Sequence, residues 1–190
     1  LAALMLLLGG CATLGDDGGF SPLRQTATDR LGMEVQVARS EAEVNQIGQR
    51  VAEMLTQPLS AAAAVQITLL NHRGLQVAFQ ELGIAEADLV QASRLPNPGF
   101  SIGRLKRGDE QEIERSVSLD LGHLLLLPLA RAAETRRFAA VQQRVAMEML
   151  ALAASARKAY YGAVAAEQSL RVMQQAQRAA DAGAELARRM

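Results

Sequence analysis

The chain has 190 residues, with 20 basic and 20 acidic side chains and no tryptophan. Zero formal charge without a basic block argues against nucleic-acid binding. At 49% hydrophobic but only 3% aromatic residues, the composition fits long helices better than a compact enzyme core.

The first eight residues form an apolar run too short to span a bilayer, followed by Gly9-Gly10-Cys11-Ala12. A hydrophobic stretch ending in Leu-Gly-Gly-Cys has the form of a bacterial lipoprotein signal, with residues 1–10 cleaved and Cys11 lipidated. The plainer alternative is a stray cysteine in a hydrophobic leader. Ala12 rather than Asp after the cysteine implies outer-membrane sorting of such a lipoprotein. Opening on Leu1 and stopping at Met190 on an uncapped helical pattern, the chain reads as a piece of a longer protein.

Residues 11–39 are rich in Gly, Asp and Thr and contain Gly18-Gly19 and Pro22, which predicts an extended tether. Ser40-Glu41-Ala42-Glu43 is a capping box opening a helix over residues 41–57, with Val44, Ile47, Val51 and Leu55 on one face. Pro58 stops it. A second helix is expected over 60–70, and Asn71-His72-Arg73-Gly74 breaks the chain again. A third, over 75–95, steps by three and four through Leu75, Ala78, Leu82, Ala85, Leu89 and Ala92. Pro96-Asn97-Pro98 forbids continuation.

Residues 99–122 read as a β-hairpin turning at Arg107-Gly108-Asp109-Glu110. Its second half alternates strictly, with Ile113, Val117, Leu119 and Leu121 on one face and Glu114, Ser116, Ser118 and Asp120 on the other. Arg115 alone interrupts the apolar face. Such a strand serves a half-buried soluble sheet or a membrane β-barrel equally well. The position of the hairpin between two long helices favours the barrel, because two strands are not stable alone in water.

A long helix is expected over 129–190, with Pro128 where a missing N–H costs nothing. Its stripe runs Phe138, Val141, Val145, Met149, Leu152, Ala156, Ala159, Ala163, Ala166, Leu170, Met173, Gln177, Ala180, Ala184 and Ala187. The three-four spacing is that of a helix lying along a partner, and Ala146, Leu150, Ala153, Tyr160 and Val164 add a second flank. An ordinary antiparallel coiled coil satisfies the same pattern.

No catalytic constellation stands out. His72 and His123 are far apart, and there is no Cys pair, His-x-x-x-His or Gly-rich phosphate loop. No cofactor, no metal and no enzymatic activity are expected; Asp120 and His123 come nearest to a metal pair. Tyr160-Tyr161 reads as helix packing, and Arg136-Arg137, Arg157-Lys158 and Arg188-Arg189 as solvated faces.

The order short helix, Leu59-Ser60-(Ala)4-Val65 to Leu69-Leu70-Asn71, long helix, Leu95-Pro96-Asn97-Pro98, hairpin, Pro128-Leu129, very long helix resembles the first structural repeat of TolC-type outer-membrane efflux proteins. The likeness covers residues 59–190 and extends to the lipidated branch through Cys11. His72-Arg73-Gly74 departs from the Asn-Pro-x usual in that family, and the hairpin is short. The resemblance implies a mainly α fold with a β-hairpin: long heptad helices of a periplasmic α-barrel, plus two strands of a trimeric transmembrane β-barrel. It implies a homotrimeric passive duct for small molecules or metal ions, lipid-anchored in the outer membrane and served by a periplasmic adaptor and an inner-membrane pump. Ile113, Val117, Leu119 and Leu121 would then face lipid, and Glu114, Ser116, Ser118 and Asp120 the lumen. Arg188 and Arg189 would lie near a periplasmic gate. The alternative is a periplasmic helical scaffold lipoprotein that transports nothing.

Overall fold

The computed structural model describes Gly15, residues 17–108 and residues 110–190. The expected leader and Cys11 lie outside the described residues. The chain is mainly helical with one two-stranded antiparallel hairpin. Among the described residues the elements are, in chain order, α1 (Ser21–Leu31), α2 (Glu41–Met54), α3 (Ala61–Asn71), α4 (Arg73–Ala92), β1 (Gly99–Arg107), β2 (Glu110–Ser118) and α5 (Leu121–Arg189). Two compact units result. One combines the described residues up to Pro22 with Phe79–Arg144, and the other combines Leu23–Ala78 with Val145–Met190.

In the second unit, α2 starts where the capping box predicts. Ser40 Oγ accepts from Glu43 N at 3.2 Å, and Glu43 Oε2 accepts from Arg39 N at 2.6 Å. Ser60 Oγ caps α3 in the same way, at 3.1 Å from Ala63 N. Each such cap is worth about 1 kcal/mol. Ile47 and Val51 of α2 pack against Leu70 of α3, with Ala38 and Ile67 alongside. Val65 and Leu69 are wholly buried. His72 ends α3 and opens α4, its Nδ1 accepting from Leu75 N at 3.2 Å.

The expected extended tether over residues 11–39 is only partly found. Ser21–Leu31 is helical, with Leu23 and Ala27 buried. The strap that follows α1 is extended but tied down by two glutamines. Gln66 accepts from Glu34 N at 3.0 Å and donates to Glu34 O at 2.8 Å. Gln76 accepts from Ala38 N at 3.0 Å and donates to Gln36 O at 2.8 Å. Each side-chain amide thus satisfies backbone groups that a sheet neighbour would otherwise satisfy, and Val35 is buried between the two clamps.

In the first unit, the segment before α1 is docked by four features. Asp17 accepts from Ser21 N at 2.8 Å and Gly19 N at 3.1 Å, as well as from the Ser21 hydroxyl. Phe20 stacks edge-on against Phe79, ring centroids 4.9 Å apart. Gly15 N donates to the buried Glu86 carboxylate at 2.8 Å, and Gln142 Nε2 donates to Gly19 O at 3.0 Å. Gly19 holds φ +71°, and a Cβ there would sit 2.3 Å from the Phe138 ring. The charge-assisted caps and the buried aromatic pair outweigh the flexibility that the Gly-Asp composition suggested.

The long helix begins at Leu121, eight residues before the expected start, so Pro128 lies inside it. Asp120 explains the early start: its Oδ1 accepts from His123 N at 2.9 Å and its carbonyl from Leu124 N at 3.2 Å. A leucine run follows, and leucine is a strong helix former. Pro128 costs about 3 kcal/mol in a helix interior, which the cap and this run must offset. Val145, Met149 and Ala153 are buried, whereas every residue from Ala165 onward is exposed. Burial therefore follows the stripe at Val145 and Met149, passes to Ala153 of the flanking set, and does not run on along the stripe to Ala187.

Candidate functional site

Nine residues per strand at about 3.3 Å each give strands about 30 Å long, the number found in β1 and in β2. Antiparallel pairing runs from Gly99 opposite Ser118 to Arg107 opposite Glu110, and Gly108 takes φ +63° in the turn. Residues directly opposite share a face of the sheet, so the register assigns every side chain a side.

One face carries Phe100, Ile102, Arg104 and Lys106 of β1 opposite Val117, Arg115, Ile113 and Gln111 of β2. The other carries Gly99, Ser101 and Gly103 opposite Ser118, Ser116 and Glu114, with Glu112 next along β2. On this second face the Ser101 and Ser116 hydroxyls lie 2.7 Å apart. The apolar residues of the first face are solvent-exposed, Val117 at 74%.

The strand contains part of the expected two-sided set. Ile113 and Val117 fall on the apolar face, and Glu114, Ser116 and Ser118 on the polar one. β2 ends at Ser118, however, which removes three residues from it: Leu119 lies past the strand, Asp120 caps α5 and Leu121 is the first helical residue. Alternation by two cannot tell where a strand gives way to a capped leucine run, because Leu119, Leu121 and Asp120 fit either. Arg115 is also not alone, since the register puts Arg104 and Lys106 beside it. Only the cross-strand register reveals that grouping.

The first turns of α5 extend the apolar surface. Leu121, Leu124, Leu125, Leu126 and Leu129 are all exposed, Leu125 at 82%. Leu124, Leu125 and Leu126, each turned about 100° from the last, spread exposed apolar surface over more than half of this turn, with exposed His123 on the remaining side.

Elsewhere the chemistry is sparse. Among the described residues no group of three or more His, Cys, Asp and Glu could hold a metal ion. Asp120 and His123 make a helix cap rather than a ligand pair. A groove in the first unit, lined by Ser93, Leu127, Pro128, Arg131, Thr135 and Arg136, contains no nucleophile beside a base. Tyr160 meets Tyr161 edge-on at 5.4 Å and donates from its hydroxyl to Leu59 O at 3.0 Å, a packing role. Arg188 and Arg189 both reach Glu185 on their own helix, at 3.1 and 2.9 Å. Among the described residues no helix is long and apolar enough to cross a membrane.

Compared with protein-family models, curated proteins and solved structures, the chain matches none.

Proposed function

We propose that this chain is the first repeat of a TolC-type outer-membrane efflux lipoprotein, a passive duct that works by geometry and not by bond chemistry. One observation carries the reading. The hairpin has an apolar and a small-polar face, both edges unpaired among the described residues, and leads into a helix whose first turns expose a run of leucines. A lone hairpin of this kind is marginal in water, and closing it into a barrel with other strands satisfies both edges. On this reading Phe100, Ile102, Ile113 and Val117 face lipid, and Ser101, Glu114, Ser116 and Ser118 face the water-filled lumen.

Three protomers would each give four strands to a shared barrel and long helices to a periplasmic conduit, two of those strands coming from this hairpin. The exposed distal part of α5 supports this, since a helix with no burial of its own requires neighbours. An inner-membrane pump and a periplasmic adaptor would load the duct, and lipidated Cys11 would add an anchor.

A specific observation favours the second reading, a scaffold lipoprotein that transports nothing. Arg104, Lys106 and Arg115 share the apolar face, and an Arg or Lys at mid-membrane depth on a lipid face costs about 2–4 kcal/mol. Planar-bilayer conductance of the purified full-length protein, paired with its mass in detergent, separates the two. A trimer with discrete conductance steps is expected. A monomer without channels would sink the duct and leave the scaffold.

A further inference from the structure

Apart from Arg107 across from Glu110 beside the turn, the charges of the hairpin are sorted by face. Arg104, Lys106 and Arg115 occupy the face that carries no acidic residue, while Glu112 and Glu114 project on the opposite one. A hairpin built only to be soluble gains from placing opposite charges across from each other. Here Arg104 instead lies across from Ile113, and Arg115 across from Ile102. No ion pair among the described residues engages any of the three cations. The face is therefore a basic ladder interleaved with apolar side chains.

We propose that this face binds the phosphate of anionic lipid headgroups, through Arg104, Lys106 and Arg115. The proposal rests on the barrel reading above and resolves the energetic objection to it. Counting from the Phe100–Val117 pair towards the turn, Arg115 stands two residues up, Arg104 four and Lys106 six. Six residues at about 3.3 Å, tilted about 45°, rise about 14 Å, close to half of a hydrocarbon core about 30 Å thick. The aliphatic stems of Arg and Lys lie along apolar surface while their heads reach for the polar boundary. Phe100, Val117, Ile102 and Ile113 then contact acyl chains, and the cations meet the headgroup layer on the turn side. Guanidinium groups suit the bidentate oxygen geometry of a phosphate. The interleaved apolar residues select a lipid over a free anion, which would gain nothing from them.

The test uses the full-length protein in phosphatidylcholine nanodiscs with added phosphatidylglycerol, reading anionic lipid retained on the protein by native mass spectrometry. Each cation at an anionic surface contributes about fivefold, so the triple variant Arg104→Gln/Lys106→Gln/Arg115→Gln is expected to lose retention on the order of a hundredfold. Lys106→Gln alone loses about fivefold, and Arg131→Gln/Arg136→Gln loses nothing. Excess inorganic phosphate leaves retention unchanged; displacement by it would overturn the lipid assignment. Retention equal in wild type and triple variant overturns the proposal too. Val117→Trp, read by brominated phosphatidylcholine in neutral nanodiscs, separates the two levels. Quenching with equal retention removes only this site, whereas no quenching removes the barrel reading with it.

Discussion

The α2–α3 pair and the β-hairpin treat their apolar side chains in opposite ways. In the pair, Ile47, Val51 and Leu70 close on one another, the strap is clamped by Gln66 and Gln76, and both helices carry side-chain caps. In the hairpin, Phe100, Ile102, Ile113 and Val117 are as exposed as the serines on the other side. The first region packs its apolar side chains within the chain, and the second leaves them exposed. The difference teaches where to look for partners: apolar exposure concentrated on one designed face marks a contact, whereas scattered exposure does not.

The largest expected effect sharpens the self-contained side. Leu69 is fully buried, so Leu69→Ala should cost about 2–5 kcal/mol in urea unfolding of the chain. Leu170→Ala, on the exposed part of α5, should stay within about 0.5 kcal/mol in the same assay. Comparable losses at both positions would erase the contrast.

Next comes the hairpin. Val117→Arg places a charge on the apolar face and should weaken assembly into bilayers by about 2–4 kcal/mol, while Ser118→Arg on the small-polar face should be tolerated far better. Recovery of folded protein in outer-membrane fractions measures this, and equal tolerance counts against a membrane-inserted hairpin.

Two glycines give a smaller test with opposite signs. Gly19→Ala meets both a positive φ and the Phe138 ring and should destabilise by about 1–3 kcal/mol. Gly183→Ala lies in a helix with nothing within 4 Å and should stabilise by about 0.5–1 kcal/mol. Thermal melts of the two variants read the difference directly.

The smallest effect is a pH dependence. Hydrogen bonds from the Ser21 hydroxyl and then from the Ser21 and Gly19 backbone hold the Asp17 carboxyl below its usual value. A depressed folded pKa means that Asp17 adds stability above its unfolded pKa and loses it as pH falls through the folded one. Acidification through that window should loosen the docked segment in wild type, seen as faster amide exchange at Gly19 and Ser21. Asp17→Asn should lack this acid-dependent step.

Much of the fold was legible because it rests on local chemistry. The capping box at Ser40, the Pro96–Pro98 stop and the alternation of β2 all follow from neighbouring residues. The sequence misled where a tertiary partner decides. Phe20 needs Phe79, Gly15 needs Glu86, and the strap needs two glutamines that carry no sequence signal of their own. The sequence places the start of α5 too late because Pro128 is a stronger local cue than Asp120, although Asp120 supplies the actual cap. Of the candidate site, the alternation gave the faces of β2. Grouping Arg104 and Lys106 with Arg115 required the register, which no single strand contains.

The central claim, that this hairpin stands in a membrane with one face on lipid, can be tested because these 190 residues contain no tryptophan, once any tryptophan elsewhere in the full-length protein is replaced by phenylalanine. Single tryptophans at Phe100, Ser101, Ile102, Ser116, Val117 and Ser118 of the full-length protein in brominated-lipid vesicles report depth and side together. Strong quenching at 100, 102 and 117, with weak quenching at 101, 116 and 118, is the predicted result. Uniform weak quenching at all six positions would contradict it.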